Sequence, residues 1–585
     1  MTINEEEFEN FVFEQALTNA ISFGGKANPK AMIGKCMPKF PEMKQDMPHY
    51  MNKIENIVEQ VNEMNTEKQK TKLLELNPNF EKEQKSKKED NQKKEKNPLP
   101  KLEGLENGKL RLRYEPAPSG YLHIGHLFPI ISNYAFKEKF GGKFILRFGD
   151  TNPDNIDVSN YEKIIDDVNW ITGGGIDEIF YQSERLKIYY KYLRQLVEIG
   201  KAYVCECSAE DFKTLTDSCT TCTHAKMPQE KQIEMFNKFM NGGYKQGEAV
   251  VRFRADISHK NPALRTFPLA RINKTKHAHI GESANVWPNM HLAVAVDDCD
   301  MNMTHVIRGK DHEINTLRQE MIQKALGLKR PKDYFHHGRI KFEDINLSKS
   351  DLQEKINQGI YTGWTDPRVP SLISHRKRGY QAKAFRDFIL SLGISKRDSR
   401  ITAEEYYKGL NYFNKQILEK EADRFFFIQA PRSVHIKNIN EYPEKDISLP
   451  KHPEDASKGF RHFKLDSEYW IEKADFEKIE KGDMVRLMHF GNFKILKKEK
   501  ESLELEFISK EYDRNLKYKS TIHFLPKKDL KKAEIILHDN SSISGFVEDM
   551  HNPKEDSSYQ FERFGFVRFD YRKEDQTKVF YFTHR

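Results

Sequence analysis

The chain has 585 residues, too many for one hydrophobic core, so several domains are expected. Hydrophobic residues are 37% and charged residues 31%, and no apolar run is long enough to cross a bilayer, which sets aside membrane-spanning proteins. The formal net charge of +8, from 96 Lys and Arg against 88 Asp and Glu, permits a polyanionic partner without demanding one.

The opening "MTINEEEFENFVFEQ" is acidic and lacks the basic-then-apolar layout of a secretory leader, so the cytoplasm is the expected compartment. Residues 1–79 are expected to form a helical domain. Apolar residues recur at helical spacing in "FENFVFEQALTNAI" and again in "YMNKIENIVEQVNEM". The Gly-rich "FGGKANPKAMIGK" between them reads as a turn or loop. Residues 80–100 are nearly all charge, with no apolar face, and read as a solvated linker.

From Leu110 the pattern changes. "LRLRY" alternates as a strand; Leu127, Ile130, Ile131, Tyr134 and Ala135 follow at helical spacing; "GGKFILRF" and later "MTHVIRG" read as further strands. Strand–helix–strand order with short turns predicts an α/β parallel sheet. Past about residue 425 the runs become short and alternating, as in "FRHFKL", "DMVRLMHFGNFKIL", "SLELEFIS" and "KVFYFTHR", and predict an all-β sandwich or barrel.

Where the first strand gives way to a helix stands "RYEPAPSGYLHIGHL". A strand ending in a tight turn and opening a helix aims backbone N–H groups at an anion. Gly125, lacking Cβ, lets a flat ring lie on the backbone, and His123 and His126 add donors that follow charge developing on a phosphate. Downstream, Lys349 sits between Ser348 and Ser350 in a loop before a helical stretch, where a mobile lysine neutralises a leaving pyrophosphate.

These two motifs together resemble the class I aminoacyl-tRNA synthetases. "LRFGDTNP", "VAVDDCDMNMTHVIRGKDHEINTLRQ" and "TGWTDPRVPSL" resemble the glutamyl/glutaminyl branch, and "ALTNAISFGGKANPKAMIGK" and "FERFGFVRFD" extend the likeness to the archaeal-type glutamyl-tRNA synthetases. The resemblance implies a Rossmann-like catalytic fold with an inserted acceptor-binding domain, an N-terminal helical domain and a C-terminal β-barrel that binds the anticodon. On that basis 101–204 is the first catalytic half, 205–295 the acceptor-stem insertion, 296–345 the second half, 346–425 the lysine loop and helical connector, and 426–585 the anticodon-binding region. It implies ATP with Mg2+, L-glutamate and tRNA-Glu as substrates, tRNA-Gln as an open second acceptor, no membrane, and a monomer as the simplest assembly. His123, His126 and Lys349 take the catalytic roles, with Pro118, Ser119, Gly125, Ser348 and Ser350 around the ATP.

The amino acid is read from Arg308 in "THVIRGKDH", where the glutaminyl enzymes carry a neutral residue. A buried guanidinium favours a carboxylate over a carboxamide. Arg113 matches a second substrate-binding arginine. One departure stands out: the family's Arg-Phe is usually followed by two acids, and here Gly149 replaces the first, which holds the substrate ammonium. Glu115, where relatives carry a small or apolar residue, is expected to supply the missing charge, with Asp150 or water as the alternative.

Cys205, Cys207, Cys219, Cys222 and His224 form C-x-C, then eleven residues, then C-x2-C-x-H. Soft thiolates at paired spacing suit a tetrahedral structural Zn2+, with five candidates for four positions; free cysteines in a reducing compartment are the alternative. In "VVRFRADISHKNPALRTFPLARINK" the arginines are candidate phosphate contacts, and in "FERFGFVRFDYRK" aromatics interleaved with basic residues are candidates for base stacking or for barrel core. Two competing functions remain at this stage: a glutaminyl enzyme, and a tRNA-binding scaffold that lost activity through Gly149.

Overall fold

The computed structural model describes residues 4–22, 25–77, 99–281, 284–528, 530–550 and 552–585. The chain divides into two compact units, Met1–Asn97 and Pro98–Arg585. Among the described residues no helix is long and apolar enough to cross a membrane.

The first unit holds the helices Glu5–Ser22, Pro29–Lys39, Met47–Glu63 and Thr66–Leu76. Phe8, Val12 and Ala16 on the first meet Ile54, Val58 and Val61 on the third in one buried core. Asn65 caps the last helix by accepting from Lys68 N. The helix Pro29–Lys39 corrects the reading of that stretch as a loop. It starts on a proline, which suits a first helical turn, and buries Met32 and Cys36 one turn apart. The charged run 80–100 lies outside the described residues except for its last two.

In the second unit, strands Leu110–Tyr114, Gly142–Phe148 and Glu178–Tyr181 form a parallel sheet. A parallel pair, His305–Gly309 with Asp333–His337, lies beside it, tied on by Arg111 N donating to Thr304 Oγ1 (3.0 Å) and Thr304 N to Arg111 O (3.1 Å). Gly142 opens the second strand at φ +114°, and a Cβ there would sit 2.2 Å from Leu110 O, so only glycine brings the two strands into register. The helix Leu127–Phe140 shares the buried core with Leu112, Phe144 and Leu146. This is the parallel α/β core expected from the strand–helix–strand order.

Between its halves runs an antiparallel sheet of Ala202–Cys205, Val250–Phe253, Phe267–Ile272 and Val286–Pro288. Its core is shared with the helices Leu186–Glu198 and Met290–Asp300. Helices Leu372–Lys377, Ala382–Leu392 and Ala403–Glu421 form a connector. Two seven-stranded sheets follow, and their first strand, Asp423–Phe425, begins just before residue 426. "DMVRLMHFGNFKIL" is not one run: it folds back through His489 (φ +56°) into the antiparallel pair Met484–Leu487 and Gly491–Lys498.

Candidate active site

The first strand ends at Tyr114, and the segment after it crosses to the helix Leu127–Phe140 through the short 3-10 turn Ile124–His126. His123 caps that turn: its Nδ1 accepts from Gly125 N (3.1 Å), while His126 Nδ1 accepts from His123 N (3.1 Å). The two rings lie 4.0 Å apart. A Cβ on Gly125 would meet His123 Cε1 at 2.9 Å and Leu347 Cδ1 at 3.2 Å, so the glycine admits both the ring and the lysine loop. Lys349 reaches back over the Pro-Ser-Gly turn, its Cδ 3.5 Å from where a Gly120 Cβ would stand. Burial and the nearby Lys349 charge push His123 down to about 4 and His126 down as well, so both imidazoles are neutral near pH 7.

The "TDPRVPSL" segment is the strap that seats this turn. Ile124 N donates to Pro370 O (3.1 Å), Leu372 N donates to Leu122 O (3.0 Å), and Trp364 stacks on Tyr121 (5.2 Å). Of the other residues anticipated around a nucleotide, Pro118 is buried with its carbonyl accepting from Asn160 (3.3 Å), and Ser119, Ser348 and Ser350 are exposed. Ser348 caps the helix Lys349–Asn357.

Beside the turn opens a cavity of about 1000 Å³, lined by Arg113, Glu115, Gly125, His126, Gly149 and Arg308, among others. Arg308 is 7% exposed, and its NH2 donates to Thr316 Oγ1 and Gln319 Oε1 (2.7 Å); among the described residues its Nε has no partner. Among the described residues no carboxylate forms an ion pair with it, and burial beside Arg113 lowers it to about 10. Arg113, in contrast, is held by both oxygens of Asp298 (3.1 and 3.2 Å).

Glu115 and Gly149 meet in space. A Cβ on Gly149 would lie 3.7 Å from Glu115 Cγ and Oε1, so the glutamate occupies the volume beside the side chain that Gly149 lacks. Its carboxylate takes hydrogen bonds from Arg147 (2.6 Å) and Gln182 (3.2 Å). Asp150, the alternative, is fully buried and already accepts from Tyr161, Ser183 N and Ser183 Oγ (2.7–2.8 Å).

Sequence reasoning missed the scaffold beneath. Arg147 is wholly buried and bridges Glu115 to Asp298 (2.7 Å). Asp297 is bound by Arg185, Tyr189 and Gln182. Against the cost of burial, Arg113 and Arg147 hold Asp298 down to about 2. The signal was present in "LAVAVDDCD", two adjacent acids on an apolar helix, since buried charges demand partners.

Cys205, Cys207, Cys222 and His224 bring their ligand atoms within 4.8 Å of one another. Cys219 stands apart: it is exposed, at φ +53°. Three thiols and an imidazole suit a tetrahedral zinc ion. The group Glu472, Asp475 and His523 is already filled, because Arg563 binds both oxygens of Asp475 (2.5 and 2.7 Å).

Two surfaces differ from expectation. Arg252 is buried against Phe212 (3.5 Å), Arg265 is spent on His259 O and Thr216 O, Arg271 bonds Asn152, and Arg254 is exposed, over the Tyr203 ring (5.4 Å). In "FERFGFVRFDYRK", Phe561, Phe566 and Phe569 are core, Arg563 and Arg568 are ion-paired, and Tyr571 and Arg572 face solvent.

A parallel α/β core with a His-Ile-Gly-His turn, a lysine loop strapped to it and an inserted sheet defines a class I synthetase. A family model, tRNA synthetases class I (E and Q), catalytic domain, matches residues 109–420, and the anti-codon binding domain of the same class matches 422–513. The chain belongs to that family. It is 37% identical to a glutamate–tRNA ligase of Pyrococcus furiosus, over 98% of this chain and 99% of that one. It is 38% identical to one of Thermococcus onnurineus (96% and 97% covered) and 36% to one of Pyrococcus abyssi (99% and 100%).

Proposed function

We propose that the chain is a glutamate–tRNA ligase working with ATP and Mg2+ in the cytoplasm, as a monomer. The α-carboxylate of L-glutamate attacks the α-phosphorus of ATP and pyrophosphate leaves. A hydroxyl at the 3′ end of tRNA-Glu then attacks the glutamyl-adenylate carbonyl and AMP leaves. His123, Gly125 and His126 with Pro118 and Ser119 form the nucleotide side, and Lys349 between Ser348 and Ser350 meets the departing pyrophosphate charge.

The observation that carries the reading is Arg308, a buried guanidinium on the cavity wall without a carboxylate of its own. Glutamate's side-chain carboxylate completes it, whereas glutamine's carboxamide leaves it uncompensated. Arg113 lines the same cavity as a second glutamate contact whose charge is shared with Asp298, and Glu115 receives the ammonium that an acid at position 149 would otherwise hold. An intact turn and lysine loop speak against a scaffold without activity. Cys205, Cys207, Cys222 and His224 hold a structural Zn2+ that folds the segment between them.

The test is aminoacylation of tRNA-Glu and tRNA-Gln transcripts, each with labelled glutamate and labelled glutamine. Glutamate on tRNA-Glu is expected. Glutamate on both would add a non-discriminating role, and glutamine charging would overturn the Arg308 argument.

A further inference from the structure

A second cavity, of about 730 Å³, lies between the connector and the C-terminal sheets. Its wall includes Arg368, Arg378, Tyr407, His538, Phe582 and Arg585, and among the described residues no Asp or Glu side chain lines it. Arg378 is 5% exposed and packs on the rings of Tyr380 and Tyr407 (5.2 and 5.3 Å). Its NH2 makes long contacts, 3.4 Å to Tyr380 Oη and 3.4 Å to Thr583 O, the Tyr407 hydroxyl also meets the guanidinium, and its Nε has no partner among the described residues. The nearby acids are committed elsewhere: Asp366 to Arg368 and Thr362, Asp539 to Ser541.

Nor is Arg378 free to swing into water. The next residue, Gly379, has φ +95°, and a Cβ there would meet Thr583 Oγ1 at 2.7 Å and Arg568 Cβ at 3.0 Å, so the turn is clamped to the last strand. A buried positive charge with an unpartnered Nε, on a cavity wall whose one acidic group among the described residues is the α-carboxylate of Arg585, calls for an anion.

We propose that this cavity is an anion site for a phosphate group, with Arg378 as its buried anchor and His538 on its exposed wall. A tetrahedral oxyanion matches the guanidinium fork, and Tyr407 and Phe582 offer a flat wall to whatever carries the phosphate. The group is supplied either by the backbone of a bound tRNA or by a free phosphate-bearing molecule. The first source rests on the proposed function; the site itself does not.

The experiment uses the full chain and inorganic phosphate. Thermal midpoints are measured against phosphate concentration, with chloride at matched ionic strength as the baseline. Ligand binding to the folded state raises the midpoint. The phosphate-specific rise is expected to shrink in Arg378→Gln and in His538→Glu, which sets an exposed carboxylate on the cavity wall and leaves the buried packing alone. An undiminished rise in His538→Glu, and in Arg378→Gln where it folds, overturns the site, because the catalytic cleft then accounts for all the phosphate effect. The salt dependence of tRNA binding separates the sources. If a tRNA phosphate fills the site, the slope of log K against log salt falls by roughly 0.7–0.9 in the variants. An unchanged slope with a lost phosphate response assigns a free ligand. A wild-type chain that binds no tRNA removes the proposed function and leaves the phosphate arm standing.

Discussion

The catalytic cleft and the C-terminal sheets each bury an arginine, and they treat it in opposite ways. Arg461, in the C-terminal region, is paired with Glu548 (2.6 Å) and Glu562 (2.9 Å). Arg308, in the cleft, meets a hydroxyl and an amide and, among the described residues, no carboxylate. A buried charge with its own counter-ions stabilises position and fold; one without them is held ready for a ligand's charge. Within the cleft Arg113 and Arg147 are paired as Arg461 is, and Arg308 is the one left without a carboxylate among the described residues.

The largest effect that would sharpen this contrast lies at the reacting centre. Lys349→Ala should slow ATP–pyrophosphate exchange by about 10²–10³-fold while the thermal midpoint barely moves. Next comes the pair of arginines. Arg461→Met, which strands Glu548, should lower stability by roughly 3–5 kcal/mol in urea melts. Arg308→Gln should instead raise the KM for glutamate by about 10²-fold and leave the urea midpoint unchanged or higher. Equal stability losses in the two variants would break the comparison. Third, Glu115→Ala should raise the glutamate KM by about tenfold, and adding Gly149→Asp should recover most of it, because that side chain enters the space Glu115 vacates. No rescue would return the ammonium to another group.

Three smaller effects depend on pH and metal. Asp298 is held near 2, below its ordinary 3.8, so its contribution of about 2 kcal/mol is complete above pH 4 and fades as pH falls toward 2. Urea midpoints in Arg147→Met should lose part of that slope, the rest being held by Arg113. His123 is held near 4, so the exchange rate should show no histidine inflection between pH 5 and 8; an inflection near 6.5 would mean an exposed imidazole. At the metal group, Cys222→Ser should lose bound zinc and Cys219→Ser should keep it, as read by metal content after dialysis.

Much was legible in the chain because it is local. The His-Ile-Gly-His turn joins neighbours within four residues, the lysine loop is contiguous, and strand and helix periods set the α/β core and the β-rich end. The helix Pro29–Lys39 was hidden because glycines and prolines crowd its approach, while its two buried residues, Met32 and Cys36, are too few to show a period. The aromatics of "FERFGFVRFDYRK" were ambiguous because core and stacking surfaces use the same residues.

What the sequence by itself determined is therefore the chemistry of contiguous motifs: the nucleotide turn, the lysine loop, the thiol pairs and the arginine in "VIRG". What the tertiary structure alone decided is which charges are already spent. Arg113 and its partner Asp298 are 185 residues apart, and Arg461 lies 87 and 101 residues from its glutamates. Likewise only the fold sets Glu115 against Gly149 and leaves Cys219 outside the metal group. A guanidinium reads the same in the chain whether or not a carboxylate awaits it, because electrostatic partnership depends on distance through space and on exclusion of water, and neither is written in residue order.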